Sequence, residues 1–229
     1  MDQIKFENEH RELLFQIPLF KDLPANIRQH LLEHLDYQLY QVKKKECIAS
    51  QGTPCKKLYV LLKGSLRTEI IDGLGNRVII EYIIAPRTFA TPHLFSKDAT
   101  LPATFFAMED SLLLTATKES TFKLISENPE ILKNFLCITG NCNHCTVSRL
   151  KILSYKSIRE RFLAYLSEHK RPNSAIIKMV HNKTQLADYL NVKRPALSKE
   201  INKMVKDGDL CIENMNVEIL KKELLLEFL

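Results

Sequence analysis

Residues 182–210 read NKTQLADYLNVKRPALSKEINKMVKDGDL, and the rest of the chain is best understood from them. Asn182 carries the short acceptor side chain that caps a helix, and Gln185, three residues on, can reach back to complete a capping box. Leu186, Ala187 and Leu190 give that helix an apolar face, with Ala187 small enough for a second helix to cross closely. Asn191, Val192 and Lys193 make a turn, and Pro195 starts the next helix, expected to run to Lys206. There Leu197, Ile201, Met204 and Val205 are expected inward, and Arg194, Ser198, Lys199, Asn202 and Lys203 outward, with Gly208 as the stop. Arg and Lys can donate to guanine, Asn can pair with adenine, and Ser can bind phosphate. Lys193, Arg194, Ser198, Lys199, Asn202 and Lys203 are therefore the candidate DNA contacts; the plainer alternative is a solvated helix face.

The flanks agree. Two strand-like pieces, 209–213 and 217–220, surround the turn Asn214-Met215-Asn216, and a short amphipathic tail comes after them. Upstream lie a helical stretch at 158–167, a break at 170–173 and an apolar run at 176–180. Helix, turn, helix and hairpin in that order make a winged helix-turn-helix. The charge is placed to match. Of the formal net charge of +6, residues 151–229 carry +5 and residues 1–150 only +1. Between Lys183 and Lys206 there are six basic residues and two acidic ones, the local excess a phosphate-facing surface needs.

The first half has a different character. Gly52, Gly64, Gly73 and Gly75 lie among runs that read as strands, 58–62, 66–71 and 77–84, and 72–76 (Asp-Gly-Leu-Gly-Asn) is a hairpin turn. Two more runs lie at 104–108 and 112–117. Short strands at this spacing suggest a small antiparallel roll, preceded by helical stretches at 11–15 and 24–35. The expected class is α+β: an N-terminal antiparallel β-roll, jelly-roll-like, then a long dimerisation helix and a C-terminal winged helix-turn-helix. The expected domains are 1–127, 128–155 and 156–229.

That long helix opens at Asn128-Pro129. Ile131, Phe135, Ile138, Cys142, Cys145, Arg149 and Ile152 then succeed one another at alternating steps of four and three, a heptad seam. The seam is expected to pair with a second copy in parallel, and the alternative is packing onto its own domain. Gly140 inside it costs roughly 1 kcal/mol relative to Ala, which asks for a compensating close approach.

Composition excludes other classes. With 45% apolar residues in 229, the chain can build a core. No apolar run nears the ~18 residues of a membrane span, and the first residues lack a signal-peptide core. A cytoplasmic protein with reduced thiols is expected. No Gly-rich phosphate loop, nucleophile elbow or His-Glu-x-x-His pattern occurs, so no enzyme is expected.

The order of strand-rich domain, long helix and winged helix-turn-helix, with the run 193–200 (Lys-Arg-Pro-Ala-Leu-Ser-Lys-Glu) in the second helix, resembles the Crp/Fnr family of bacterial transcription regulators. Pro18-Leu19-Phe20, Leu23, Gln51-Gly52, Tyr59-Val60, Lys63-Gly64, Ser157 and Arg161-Phe162-Leu163 also resemble family positions. The resemblance implies a homodimer that reads two-fold symmetric double-stranded operator DNA, under control of an effector bound in the roll, and that meets RNA polymerase if it activates. It implies base reading by Arg194 and Lys199 and a phosphate contact by Ser198. Pro195 stands where many members have a base-reading glutamate.

By the same resemblance the effector pocket comprises Phe89, Ala90, Thr91, Leu101, Pro102, Phe105, His144 and Cys145. Nucleotide-binding members have a Phe-Gly-Glu segment and an Arg-Ser pair where this chain has Phe89-Ala90-Thr91 and Leu101-Pro102. A buried phosphate without its cation pays several kcal/mol of desolvation, so cyclic AMP is not the expected effector. Cysteines before the roll, which hold an iron–sulfur cluster in the oxygen-sensing branch, are absent. Cys137, Cys142, His144 and Cys145 on the long helix leave three readings open. They are packing in a dimer seam, a redox, metal or iron–sulfur site with Cys142, Cys145 and His144 as candidates, which two helices side by side would share through Cys142 and Cys145 of both, or haem with His93 or His144 as axial ligand and Phe105 and Phe106 as walls. A dimeric redox, metal or haem sensor or adaptor without operator binding is the alternative function.

Overall fold

The computed structural model describes residues 1–172 and 174–228. Asn173, within the expected break, and Leu229 lie outside the described residues. The chain forms two compact units, Met1–Asn143 and His144–Leu229.

The first unit runs β1 (Asp2–Ile4), α1 (Asn8–Leu14), α2 (Ala25–His34), β2 (Tyr37–Val42), β3 (Cys47–Ala49), β4 (Lys57–Lys63), β5 (Ser65–Ile71), β6 (Arg77–Ile84), β7 (Arg87–Phe89), β8 (Thr104–Ala107), β9 (Ser111–Thr117), α3 (Lys118–Glu127) and the first part of α4 (Pro129–Ser154). Its strands make a five-stranded sheet, β1-β2-β9-β4-β7, and a four-stranded sheet, β3-β8-β5-β6. Every pairing is antiparallel. Leu39, Val60 and Leu113 of the first sheet share a core with Leu66, Ile83 and Phe105 of the second, and with Leu14 and Leu31 of the helices.

Local chemistry explains the hairpins. The Asp72 carboxylate accepts from Leu74 N at 2.8 Å, Asn76 N at 2.9 Å and Asn76 Nδ2 at 2.9 Å, and Gly75 supplies φ +83°. This closes β5 onto β6. Gly64, between β4 and β5, sits at φ +97°, and a Cβ there would lie 2.9 Å from Ser111 Cα. Only glycine fits that crossing.

The second unit holds the rest of α4, then α5 (Ile158–His169), β10 (Ile176–Lys178), α6 (Lys183–Tyr189), α7 (Arg194–Lys206), β11 (Leu210–Glu213), β12 (Asn216–Ile219) and 3-10 turns over Lys222–Phe228. β10-β12-β11 is an antiparallel sheet. Capping boxes open α5 (Ser157 with Glu160) and α6 (Asn182 with Gln185). Asp209, buried, is held between Arg159 Nη2 and Lys221 Nζ, each at 2.6 Å; these cations, Lys221 first, keep its carboxyl below the usual range.

The long helix departs from the sequence expectation. Ile131 and Phe135 are buried in the core of the first unit, with Ile138 packed against it, and Asn134 Nδ2 bonds the Leu19 carbonyl at 3.2 Å. Ile152 is buried in the core of the second unit. Arg149, also buried, donates to the Tyr189 and Asp188 carbonyls. Ile131, Phe135, Arg149 and Ile152 are therefore buried within their own chain: a four-three repeat marks one apolar face, and here each end of that face is covered by the chain itself. The Asn128 carbonyl accepts from Leu132 N at the start of α4, while its Nδ2 closes α3 on the Leu124 carbonyl at 2.9 Å. The boundary between units lies inside α4, whereas the expectation set 128–155 apart. Among the described residues no helix is long and apolar enough to cross a membrane.

Candidate nucleic-acid interface and effector region

α7 buries Leu197, Ile201 and Met204 against the second core. A helix of 13 residues with three buried positions at steps of four and three leaves the opposite side to solvent. That side carries exposed Lys199, Asn202 and Lys203, with half-buried Ser198 beside them; Lys193, the N-cap, and Arg194, in the first turn, are exposed at the N-terminal end of the helix. None of these six side chains is tied by a hydrogen bond or ion pair among the described residues, so their donors are available. Val205, expected inward, is exposed, because it falls one residue past the buried stripe. Pro195 occupies the first turn, and Gly208 at φ +70° ends the segment.

The second unit also holds an aromatic and histidine cluster. Tyr165, fully buried, holds Val180 N at 3.1 Å through its hydroxyl, which is also 3.2 Å from His181 Nδ1. The His181 ring stacks on Tyr189 at 4.8 Å, and His169 Nδ1 meets the Tyr165 carbonyl at 2.8 Å. Burial, with His169 and Arg149 nearby, pushes His181 down to about 4, and burial pushes Tyr165 up to about 12. His181 is thus a neutral ring directly ahead of the Asn182 cap. No periodic signal in the sequence marks this cluster, since its members come from separate segments of the chain.

In the first unit Phe89 lies between Tyr59, stacked at 5.2 Å, and Phe105, tilted at 4.9 Å. Ala90 adopts φ +54°, and Thr91 comes next, buried, its hydroxyl without a hydrogen-bond partner. Leu101 is buried and tied through its own backbone: Gly52 N donates to its carbonyl at 2.8 Å, and its N–H donates to the Thr53 carbonyl at 2.9 Å. Thr68, cross-strand from Phe105, has a second buried hydroxyl without a partner. Phe89, Leu101 and Phe105 thus lie in the roll interior, whereas Pro102 is exposed. Phe106 points to the other face, with the Arg67 guanidinium 5.8 Å from its ring, and is not a wall of the interior. Burial pushes the His93 imidazole down.

Of the α4 cluster, His144, Cys145 and Cys137 are exposed and Cys142 is half-buried. His144 Nε2 lies 3.6 Å from the Glu168 carboxylate. Among the described residues no three His, Cys, Asp or Glu side chains are arranged to hold a metal ion, so within one chain Cys142, Cys145 and His144 do not form the candidate metal site. Helix geometry explains this: Cys142 and Cys145, three apart, are neighbours on one side, but His144 points about 160° away from Cys142 and about 100° away from Cys145.

α4 does expose a second apolar stripe that the sequence reading missed. At about 100° per residue, Leu136, Gly140, Asn143, Val147 and Leu150 lie within an arc of ~80°, roughly opposite the buried face. Leu136, Val147 and Leu150 are 59%, 64% and 63% exposed. A Cβ at Gly140 would meet nothing within 4 Å. The signal was in the sequence, but the buried face carried the stronger repeat.

Residues 39–128 match the family model described as the cyclic nucleotide-binding domain. No curated protein matches the chain by sequence. Solved structures do match. A CooA mutant from Carboxydothermus hydrogenoformans shares 18% identity at TM-score 0.67, covering 93% of this chain and 99% of that one. FixK2 from Bradyrhizobium japonicum shares 15% at TM-score 0.61, covering 84% and 96%. The c-di-GMP-responsive global regulator CLP from Xanthomonas campestris shares 16% at TM-score 0.60, covering 87% and 100%. At these identities the likeness is one of fold.

Proposed function

We propose that this chain, which has the fold of the Crp/Fnr regulators, is a homodimeric, sequence-specific DNA-binding transcription regulator controlled by an effector other than cyclic AMP. The observation that carries the reading is the surface of α7. Lys199, Asn202 and Lys203, with half-buried Ser198, stand on the side of a helix whose other side is locked into its core, and exposed Lys193 and Arg194 add two cations at its N-terminal end. Such a helix can enter a major groove, with Arg194 and Lys199 at base edges and Ser198 at phosphate. It acts in the cytoplasm on double-stranded operator DNA, and contacts RNA polymerase if it activates.

Dimerisation is assigned to the exposed stripe Leu136, Gly140, Asn143, Val147 and Leu150. Its spacing is that of a two-helix seam, and Gly140 lets two backbones approach. The effector reading rests on the roll interior. Leu101 and Pro102 supply no counter-charge for a phosphate, and Thr91 supplies a hydroxyl where a carboxylate would accept from a ribose.

Selection from random duplex DNA tests the reading. A palindromic site is expected to enrich, with half-site centres about 34 Å apart or a multiple of that, and Arg194→Ala with Lys199→Ala is expected to abolish enrichment. Recovery of no two-fold symmetric site by the wild-type chain would overturn it.

A further inference from the structure

The turn that joins the two helices of the motif is gripped from outside the motif. Arg149 on α4 donates Nε to the Tyr189 carbonyl at 3.1 Å and Nη2 to the Asp188 carbonyl at 3.3 Å. Its guanidinium carbon lies 5.0 Å from the Tyr189 ring centroid. Arg161 on α5 takes the next carbonyl, Leu190, through Nη1 at 3.0 Å, and holds the Tyr155 carbonyl through Nε at 2.8 Å. Three successive carbonyls at the end of α6 thus accept from two other helices. The last carbonyls of a helix lack partners within it and carry the negative end of its dipole, so fixed cations there anchor it firmly.

Beyond that grip the chain has little freedom before the next helix. Asn191 sits at φ +52°, Val192 N bonds the Ala187 carbonyl at 2.9 Å, and α7 starts at Arg194. The attitude of α7 is therefore inherited from the end of α6. Arg149 lies on the side of α4 away from Val147 and Leu150, so one helix presents the proposed dimer stripe on one face and the grip on another.

We infer that Arg149 is a positioning residue for operator recognition: from the helix that pairs the two copies, it fixes the direction in which α7 leaves the motif, and hence the alignment of the two recognition helices. The inference rests on the regulator reading above. Arg149 touches no base; it acts through Asp188 and Tyr189. Lysine is a poor substitute, because one ammonium lacks the planar fork that serves two carbonyls and stacks on a ring.

The test uses the full chain and the site enriched by the wild-type protein. Affinity is measured for the intact palindrome, for the palindrome with one base pair added between half-sites, and for a duplex carrying one half-site. Arg149→Lys is expected to weaken palindrome binding tenfold or more and to shrink the preference for native spacing, while half-site affinity stays within twofold. Tyr189→Leu, which keeps the carbonyl but removes the ring under the guanidinium together with its stack on His181, is expected to give the same split to a smaller degree, and serves if Arg149→Lys does not fold. Equal loss on palindrome and half-site in both variants would make Arg149 a general structural residue and overturn the inference, as would wild-type behaviour on all three duplexes. A wild-type chain that enriches no site would instead sink the regulator reading, and this inference with it.

Discussion

Replacing Val147 by aspartate places a carboxylate on the exposed stripe of α4 without touching either core. Val147 is 64% exposed within its own chain. Full burial of such a side chain is worth about 1.5–3 kcal/mol, so covering its exposed part with a second copy gives about 1–2 kcal/mol. A symmetric dimer loses this twice, about 2–4 kcal/mol, and brings two like charges together. At about 1.4 kcal/mol per tenfold, the dissociation constant of the dimer should rise roughly 30- to 700-fold. The protomer's own stability should move by no more than about 0.5 kcal/mol, because an exposed helix position is being changed. Sedimentation equilibrium over a concentration series reads the first quantity, and urea unfolding at a concentration where both proteins are monomeric reads the second. Cys145→Asp, on the face first expected to pair, should leave dimerisation unchanged. A Val147→Asp protein that dimerises like the wild type, or a Cys145→Asp protein that does not, would refute the assignment of the stripe.

Two other changes rest on local geometry. His181 sits at about 4, below its ordinary 6.5, because burial disfavours the cation. The unfolded chain therefore takes up this proton first as pH falls. The stability its neutral form contributes is complete above about pH 6.5 and is lost between there and about 4, an effect of about 2–3 kcal/mol once partial exposure is allowed for. Urea midpoints of wild type and His181→Gln between pH 7 and 4 should converge; parallel curves would remove His181 as the cause. Gly64→Ala should cost about 2–4 kcal/mol, combining the left-handed backbone with the clash at Ser111, and a thermal melt within a degree of wild type would contradict that.

Legibility in the sequence tracked how local each determinant was. The β5–β6 hairpin was readable because Asp72, Gly75 and Asn76 close it among themselves, and 77–84 was placed to the residue. The second unit was equally open, since Asn182, Gln185 and Pro195 mark helix starts at short range. Strands β1, β3 and β7 escaped because three residues are too few to show alternation, and their pairing comes from distant partners such as Gln41, Phe106 and Tyr59; β2 escaped too, although it is six residues long. α3 escaped because its Thr117 cap directly continues a strand. On α4 the sequence showed an apolar repeat but not which neighbour would cover it, so Ile131 and Ile152 were assigned to a partner chain instead of to two cores. Arg149 was misplaced for the same reason. Its carbonyl acceptors lie 39 and 40 residues away, and carbonyls leave no mark on residue type.

The division of the molecule at Asn143/His144 has a practical side. A fragment of the second unit cut at the loop after Ser154 would discard Ile152 from its hydrophobic interior and Arg149 from the carbonyls it holds, leaving a hole and stripping the Tyr189 carbonyl at the end of α6 of that donor. A self-sufficient fragment has to start no later than His144, carrying the last stretch of the long helix as its own spine.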